Sequence, residues 1–376
     1  MLATQGAIEP RETAPTAATI GARRLASQGL TPPACADPAA LVRWLGAVQA
    51  QDFLGSLWAL GSRLPGTTEA DIERAIADRA ILRTWPMRGT VHFVAAEDAR
   101  WMTGLLAARV VARNGSIYRN AGLDDAAFAH GRELLTRALA NGQPLTRTAI
   151  YATLEEAGFA TARMRGSHLI GRLAQEGTIC FGPRAGKQPT FVLLDAWAPQ
   201  QHTPARDEAV AALTLGYFRS HGPATERDFA WWSGLRRAEI AGGLADVRGR
   251  LSAETIDGTT YWRGETPSEG SVTPALHLLP PFDEFLVSYQ DRSAALDPRD
   301  AALWTERDHL MSSTIVARGR VIGSWKRTLA RRSVSIAATL VRPLTDAEHE
   351  AFADALARYG HFLGLPVLDV RTTLLA

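Results

Sequence analysis

The sequence predicts an α+β protein: three tandem winged-helix units followed by a small β-rich, barrel-like C-terminal unit. Three observations carry this. Helical patterns closed by a β-hairpin signal recur three times in the same order. A linker-like stretch, Glu265-Thr-Pro-Ser-Glu-Gly270, follows the third. Beyond it the pattern turns mostly extended.

Residues 1–19 are polar and rich in Ala, Thr and Pro, with no apolar signal-peptide region, and are expected to form a loose tail. In the first unit, 20–112, apolar positions spaced by three and four predict helices over Ile20–Gln28, Pro38–Val48, Phe53–Leu64 and Glu69–Asp78. Ile81–Val94 is rich in β-formers and broken by Pro86–Gly89, which reads as a hairpin.

The second unit, 113–200, repeats the order. Asp124–Asn141 is a helix, Leu145–Gly158 has the shape of the first half of a helix-turn-helix, and Gly166–Glu176 follows. Thr146 is placed as a cap and Gly158 as a stop. Thr178–Phe181 and Thr190–Leu194 are the expected wing strands, with Gly182–Pro189 as the tip. In the third unit, 201–266, helices are expected over Arg206–Ser220, Pro223–Trp232 and Arg236–Ala245. Strands Arg250–Ile256 and Thr259–Arg263 join there at Asp257-Gly258, a two-residue hairpin signal.

The last unit, 271–376, opens with a mostly extended Ala275–Tyr289. Strands at Thr314–Val316, Arg320–Trp325 and Val334–Val341 follow, then a helix over Asp346–Tyr359. Arg327-Thr-Leu-Ala-Arg-Arg332 lies between two of these strands. A hairpin tip with that many cations suits phosphates or a DNA groove as well as plain solvent.

At 376 residues the chain has room for several compact units. No run approaches the roughly 18 to 20 apolar residues that span a bilayer, so no membrane segment is expected. Cys35 and Cys180 are far apart in sequence and form neither a metal-ligand cluster nor a disulfide framework. A reducing cytoplasm and the absence of metal and cofactor are the matching expectations. The formal charge of +2 does not announce a nucleic-acid partner. Lysine occurs only at Lys187 and Lys326, so chemistry that needs a lysine amine has two side chains to draw on.

One short stretch is chemically unusual. Val48-Gln-Ala-Gln-Asp52 sits between two helical patterns and carries amides at Gln49 and Gln51. On a continuous α-helix they would lie about 200° apart and could not act on one atom. They converge only if the helix breaks near Ala50. Asp52 fits such a break as the N-cap of a helix starting at Phe53. The competing account is that both are ordinary polar ends of two helices.

The chain resembles the winged-helix DNA glycosylases related to the azinomycin-resistance enzyme, a family with a sister branch acting on interstrand crosslinks. The resemblance covers nearly the whole chain from about Ile20. It rests on Val48-Gln-Ala-Gln-Asp52, Leu82-Arg-Thr-Trp-Pro-Met-Arg-Gly-Thr-Val-His92, Leu278-Leu-Pro-Pro-Phe-Asp-Glu-Phe285 and Gly319-Arg-Val-Ile-Gly-Ser-Trp325, in that order. It implies catalysis by a Gln-x-Gln or Gln-x-Asp element, which maps onto Gln49 and Gln51. Glutamine at the second position implies the azinomycin-resistance branch, which serves in self-resistance or general alkylation repair.

An amide is neither acid nor base at neutral pH; it orients water rather than deprotonating it. Such a site suits an activated leaving group, such as an N7- or N3-alkylated purine whose cationic base already weakens the glycosidic bond. The implied reaction is monofunctional hydrolytic base release from double-stranded DNA by a monomer. Asp52 is the rival base, with the glutamines supporting it. In the first hairpin His92 is either a positioning or phosphate contact or a structural residue, and Trp85 and Arg88 are candidate DNA contacts, Arg88 for a phosphate. Lys326, Arg327, Arg331 and Arg332 are the candidate DNA contacts of the basic hairpin. Asp283 and Glu284 offer a carboxylate or orient arginines, and Trp231 and Trp232 are expected in the core. Two other readings remain: a non-catalytic winged-helix DNA-binding protein or regulator, and a protein that sequesters a DNA-damaging small molecule.

Overall fold

The computed structural model describes residues 17–32, 35–198, 203–265, 276–300 and 312–375. Up to residue 16 the tail expectation lies outside the described residues, and 17–19 already belong to helix α1 (Ala17–Ser27). The linker expectation beyond Glu265 also lies outside them.

Helix α2 (Pro38–Leu45) ends earlier than the apolar spacing suggests. Gly46, at φ 76°, takes a left-handed conformation that a side chain would resist, and the chain leaves the helix there. It extends into β1 (Val48–Gln49) before α3 (Phe53–Gly61) and α4 (Glu69–Ala77). The hairpin β2 (Ile81–Met87) and β3 (Thr90–Ala95) accepts β1 beside β3, giving the order β1-β3-β2. Arg88 and Gly89, both at positive φ, make its two-residue turn. Helices α5 (Ala99–Arg113) and α6 (Gly115–Asn120) follow, in a stretch without a sequence expectation.

The order recurs as α7 (Asp125–Leu139), β4 (Leu145–Thr146), α8 (Arg147–Glu156), α9 (Arg165–Gln175), β5 (Ile179–Ala185) and β6 (Gln188–Leu193), again with the short strand beside the last, β4-β6-β5. The wing strands run further than expected and leave only Gly186-Lys187 as the turn. Helix α10 (Leu194–Trp197) closes this part. A third set comprises α11 (Arg206–His221), α12 (Glu226–Ser233), α13 (Arg237–Val247), β7 (Ser252–Ile256) and β8 (Thr259–Arg263). Here a single bridge, Ala224 to Trp262, stands where β1 and β4 stand in the others.

The C-terminal part opens with β9 (Leu276–Leu279), then departs from the extended expectation in a short helix, α14 (Glu284–Val287). Asp283 caps it by accepting from the Phe285 amide at 2.9 Å. Strands β10 (Thr314–Ala317), β11 (Arg320–Leu329) and β12 (Val334–Leu340), helix α15 (Asp346–Leu363) and β13 (Val367–Leu374) complete it. The sheet order is β13-β12-β11-β10-β9. It is open rather than barrel-like: α15 returns the chain so that β13 pairs parallel with β12 at the opposite edge from β9. Because β11 continues to Leu329, Arg327 stands on a strand and the basic turn narrows to the residues around Ala330–Arg332.

One apolar core joins the first two sets to the C-terminal part, while the third set packs in a second cluster with Leu82, Val94 and Tyr289. Leu57, Phe93, Leu135, Phe191, Leu278, Trp325 and Tyr359 all belong to the first core and are buried. Trp58 carries the link from α3 to the C-terminal part, with its ring against Tyr359 and Phe362 and its indole N–H donated to the Leu278 carbonyl at 2.6 Å. This packing sets the segment after β9 against β1, which matters for the site.

Candidate active site

Gln49 and Gln51 converge. In extended backbone, residues two apart point to the same side. β1 supplies that geometry at Gln49 and the irregular turn before α3 continues it. Gln49 Nε2 donates to Gln51 Oε1 at 2.8 Å. Gln49 is buried and Gln51 is exposed, so the pair bridges the interior and the surface.

The orientation of both amides follows from Arg88. A guanidinium can only donate. Its Nη2 reaches Gln49 Oε1 at 3.2 Å, so the oxygen of Gln49 faces Arg88 and its nitrogen faces Gln51. The same Nη2 reaches His92 Nε2 at 3.2 Å. That nitrogen must therefore accept, and Nδ1 donates to the Thr90 carbonyl at 3.0 Å. The imidazole is neutral in this arrangement. Burial, reinforced by the charge of Arg88, pulls His92 down to about 3. Arg88 Nη1 meanwhile donates to the Trp232 carbonyl at 3.0 Å. The hairpin position of Arg88 suggests a phosphate contact; the guanidinium instead turns inward and holds Gln49.

Behind Gln49 lies a buried carboxylate. Glu284 Oε1 accepts from the backbone amide of Gln49 at 2.7 Å. Its Oε2 accepts from Trp232 Nε1 at 3.2 Å and from the Ser288 hydroxyl. His221 Nε2 stands 3.8 Å from the same oxygen, beyond hydrogen-bond reach. Burial alone would raise this carboxyl, but the neighbouring His221 and then the Arg88 guanidinium outweigh it and hold it at about 2. Next to it, Asp283 pairs bidentately with the buried Arg63 at 2.8 and 2.9 Å, and Gln28 shares that guanidinium at 3.0 Å.

A model of the AlkZ-like DNA glycosylase family matches residues 42–362, a span that holds all of these groups except Gln28. The chain belongs to that family. It is a DNA glycosylase. A relative, the interstrand DNA cross-link repair glycosylase of Streptomyces sahachiroi, is 24% identical over 332 residues, covering 82% of this chain and 86% of the relative. The structure of Streptomyces sahachiroi DNA glycosylase AlkZ matches with a TM-score of 0.79 at 22% identity, over 95% of this chain and 99% of that one. The shared fold is mixed α+β.

The remaining candidates of this glycosylase are distributed as follows. Asp52 occupies the N-cap position of α3 but its side chain makes no cap hydrogen bond, so the capping role expected for it is not realised. Trp85 is half-buried and stacks on Phe181, with ring centroids 4.7 Å apart, joining the first two hairpins. Lys326, Arg331 and Arg332 are exposed, and none of their side chains has an intramolecular hydrogen bond or ion pair among the described residues. Arg327 donates to the Tyr359 hydroxyl. Trp232 is fully buried as expected, whereas Trp231 is 46% exposed, with its indole N–H on the Val287 carbonyl.

Sequence reasoning passed over Arg83 and read Glu284 as offering a carboxylate or orienting arginines, with no link to Gln49. Arg83 donates twice to the Ala50 carbonyl, at 3.1 and 2.7 Å, holding the residue between the two glutamines. A charged residue in an alternating strand beside Trp85 was a readable signal for it. Glu284 lies more than two hundred residues from Gln49, and no local pattern ties the two. No group of three or more potential metal ligands occurs among the described residues, and no helix there is long and apolar enough to cross a membrane.

Proposed function

We propose that this glycosylase hydrolyses the N-glycosidic bond of cationic N7- or N3-alkylated purines in double-stranded DNA, with Gln49 and Gln51 holding the attacking water. The observation that carries the proposal is the Gln49–Gln51 hydrogen bond with Arg88 fixing its polarity. Each amide oxygen keeps a free lone pair, and two such acceptors take both protons of one water, leaving its own lone pair for C1′. The bound pair supplies orientation and electrostatic stabilisation of an oxocarbenium-like transition state. Neither amide is a base, so the adduct's own positive charge must activate the leaving group.

The recurring helix, short strand, helix, helix, hairpin order supports three winged-helix units at 20–112, 113–200 and 201–266, ahead of a C-terminal unit at 271–376. The free cations Lys326, Arg331 and Arg332 suit contact with the DNA backbone. In this reading the protein is a cytoplasmic monomer. It is monofunctional, because neither lysine, Lys187 on the second hairpin turn or Lys326 on β11, belongs to the hydrogen-bonded cluster around the glutamines. The Streptomyces sahachiroi relative is named for interstrand cross-link repair, which favours bulky adducts and crosslinks as substrates here.

The experiment is incubation with an N7-methylguanine duplex and detection of free base. Gln49→Ala and Gln51→Ala should each slow release by about 10²-fold or more, in line with loss of a positioned group. Unchanged release by both variants, efficient release of uracil, or a borohydride-trapped protein–DNA adduct would each overturn the mechanism. A second reading is favoured by the uncapped Asp52 carboxylate: Asp52 acts as general base and the glutamines support it.

A further inference from the structure

A cleft of about 250 Å³ opens beside the glutamines, between α4, β2 and the wing strand β5. Phe53 and Phe181 contribute aromatic surface to it, and Arg83, Arg184 and Glu73 its charges. The two arginines are held in place from behind. Arg83 gives Nε and Nη2 to the Ala50 carbonyl and rests 4.3 Å from the Phe181 ring centre. Arg184 rests 4.9 Å from the Phe53 ring centre and meets Glu73 through Nη1 at 3.1 Å.

Arg83 Nη1 and Arg184 Nη2 have no hydrogen-bond partner among the described residues. The two cations also stand close enough to oppose each other. Burial, and then the charge of Arg184, pull the Arg83 guanidinium down to about 10, so it stays protonated at neutral pH. One carboxylate, Glu73, is ion-paired in the cleft, and it pairs with Arg184. Glu73 already offsets Arg184, and the charge of Asp52 acts on Arg83, but neither engages Arg83 Nη1 or Arg184 Nη2, which stay able to take a further anion. Planar guanidinium forks with spare N–H groups match phosphate oxygens.

We propose that this cleft grips a phosphodiester of the DNA strand next to the damaged nucleotide. The inference rests on Gln49 and Gln51 being the reaction centre, because Arg83 ties the cleft to the residue between them. Arg184 then supplies affinity and register, and Glu73 is a competing partner that the phosphate displaces. Arg83 is unsuited to a clean test, since it also positions the glutamine segment.

The test uses the full-length protein as wild type, Arg184→Ala, Glu73→Gln and the double variant. Binding to undamaged duplex is measured over a salt series, and base release from N7-methylguanine duplex at saturating enzyme. Arg184→Ala should weaken binding several-fold and reduce the salt slope by about 1. Glu73→Gln should tighten binding, and this gain should vanish in the Arg184→Ala background. An unchanged salt slope in Arg184→Ala overturns the proposal. So does a Glu73→Gln gain that persists without Arg184, which would be a general charge effect. Normal binding with slow release at saturation also overturns it, and would place a base in the cleft instead. Failure of the glutamine mechanism alone would leave these binding results in place while Gln49→Ala/Gln51→Ala kept activity, so the two failures are distinguishable.

Discussion

Replacing Glu284 with glutamine tests whether a buried charge holds the glutamine strand in place. The carboxylate accepts from the Gln49 amide, the Trp232 indole and the Ser288 hydroxyl. A glutamine of the same shape has one acceptor oxygen, so its NH₂ must face at least one of these donors. Glu284 is held at about 2 against an ordinary 4.5. That difference corresponds to on the order of 3 kcal/mol of folding stability. It agrees with about 1.5–3 kcal/mol for a hydrogen bond to a charged group. The sign follows from a lowered acid. Its contribution is complete above about pH 4.5 and is lost as pH falls toward about 2. Denaturant unfolding of Glu284→Gln at pH 7 should therefore show a loss of about 3 kcal/mol, and the gap to wild type should narrow between pH 4.5 and the lowest pH at which both fold. Base release should fall as well, because the Gln49 backbone loses its anchor. A loss below about 1 kcal/mol with no pH dependence would refute an ionised, structural Glu284. Lost activity at unchanged stability would instead assign it to the chemistry.

Other outcomes follow from the same geometry. Arg88→Lys keeps a charge but cannot bond Gln49, His92 and the Trp232 carbonyl together, so saturating base release should fall by about 10- to 100-fold while DNA affinity holds. Asp52→Asn should leave release within a few-fold of wild type; a drop of about 10² or more would make Asp52 the general base. Arg331→Ala/Arg332→Ala should lower the salt slope of DNA binding by about 2, and an unchanged slope would remove that turn from the interface. Because His92 is neutral down to about pH 3, the pH profile of base release should carry no inflection from His92 near 6.5, and His92→Asn should leave the profile's shape unaltered.

Much of this protein was legible in its sequence because the signals are local. Helix spacing, the Asp257-Gly258 turn and the recurring hairpins are written within a dozen residues of where they act. So is the break between Gln49 and the helix at Phe53, although its cause, Gly46 at φ 76°, stands three residues earlier. The glutamines were found by spacing and their convergence is a property of extended backbone. What failed was long-range or depended on side-chain direction. The C-terminal sheet stays open because the α15 crossover carries β13 to its far edge. Arg88 turns inward because a buried glutamine and a neutral histidine offer it acceptors there, which no turn signal encodes. Asp52 sits at a cap without capping, since position is set by backbone and the bond by a rotamer. The charge behind Gln49 comes from Glu284, brought there only when α3 and the C-terminal part bury their apolar faces in one core. Sequence singled out the glutamine pair as the candidate centre; tertiary packing decided which way each side chain points and which distant groups support it, because that depends on neighbours the chain meets only after it folds.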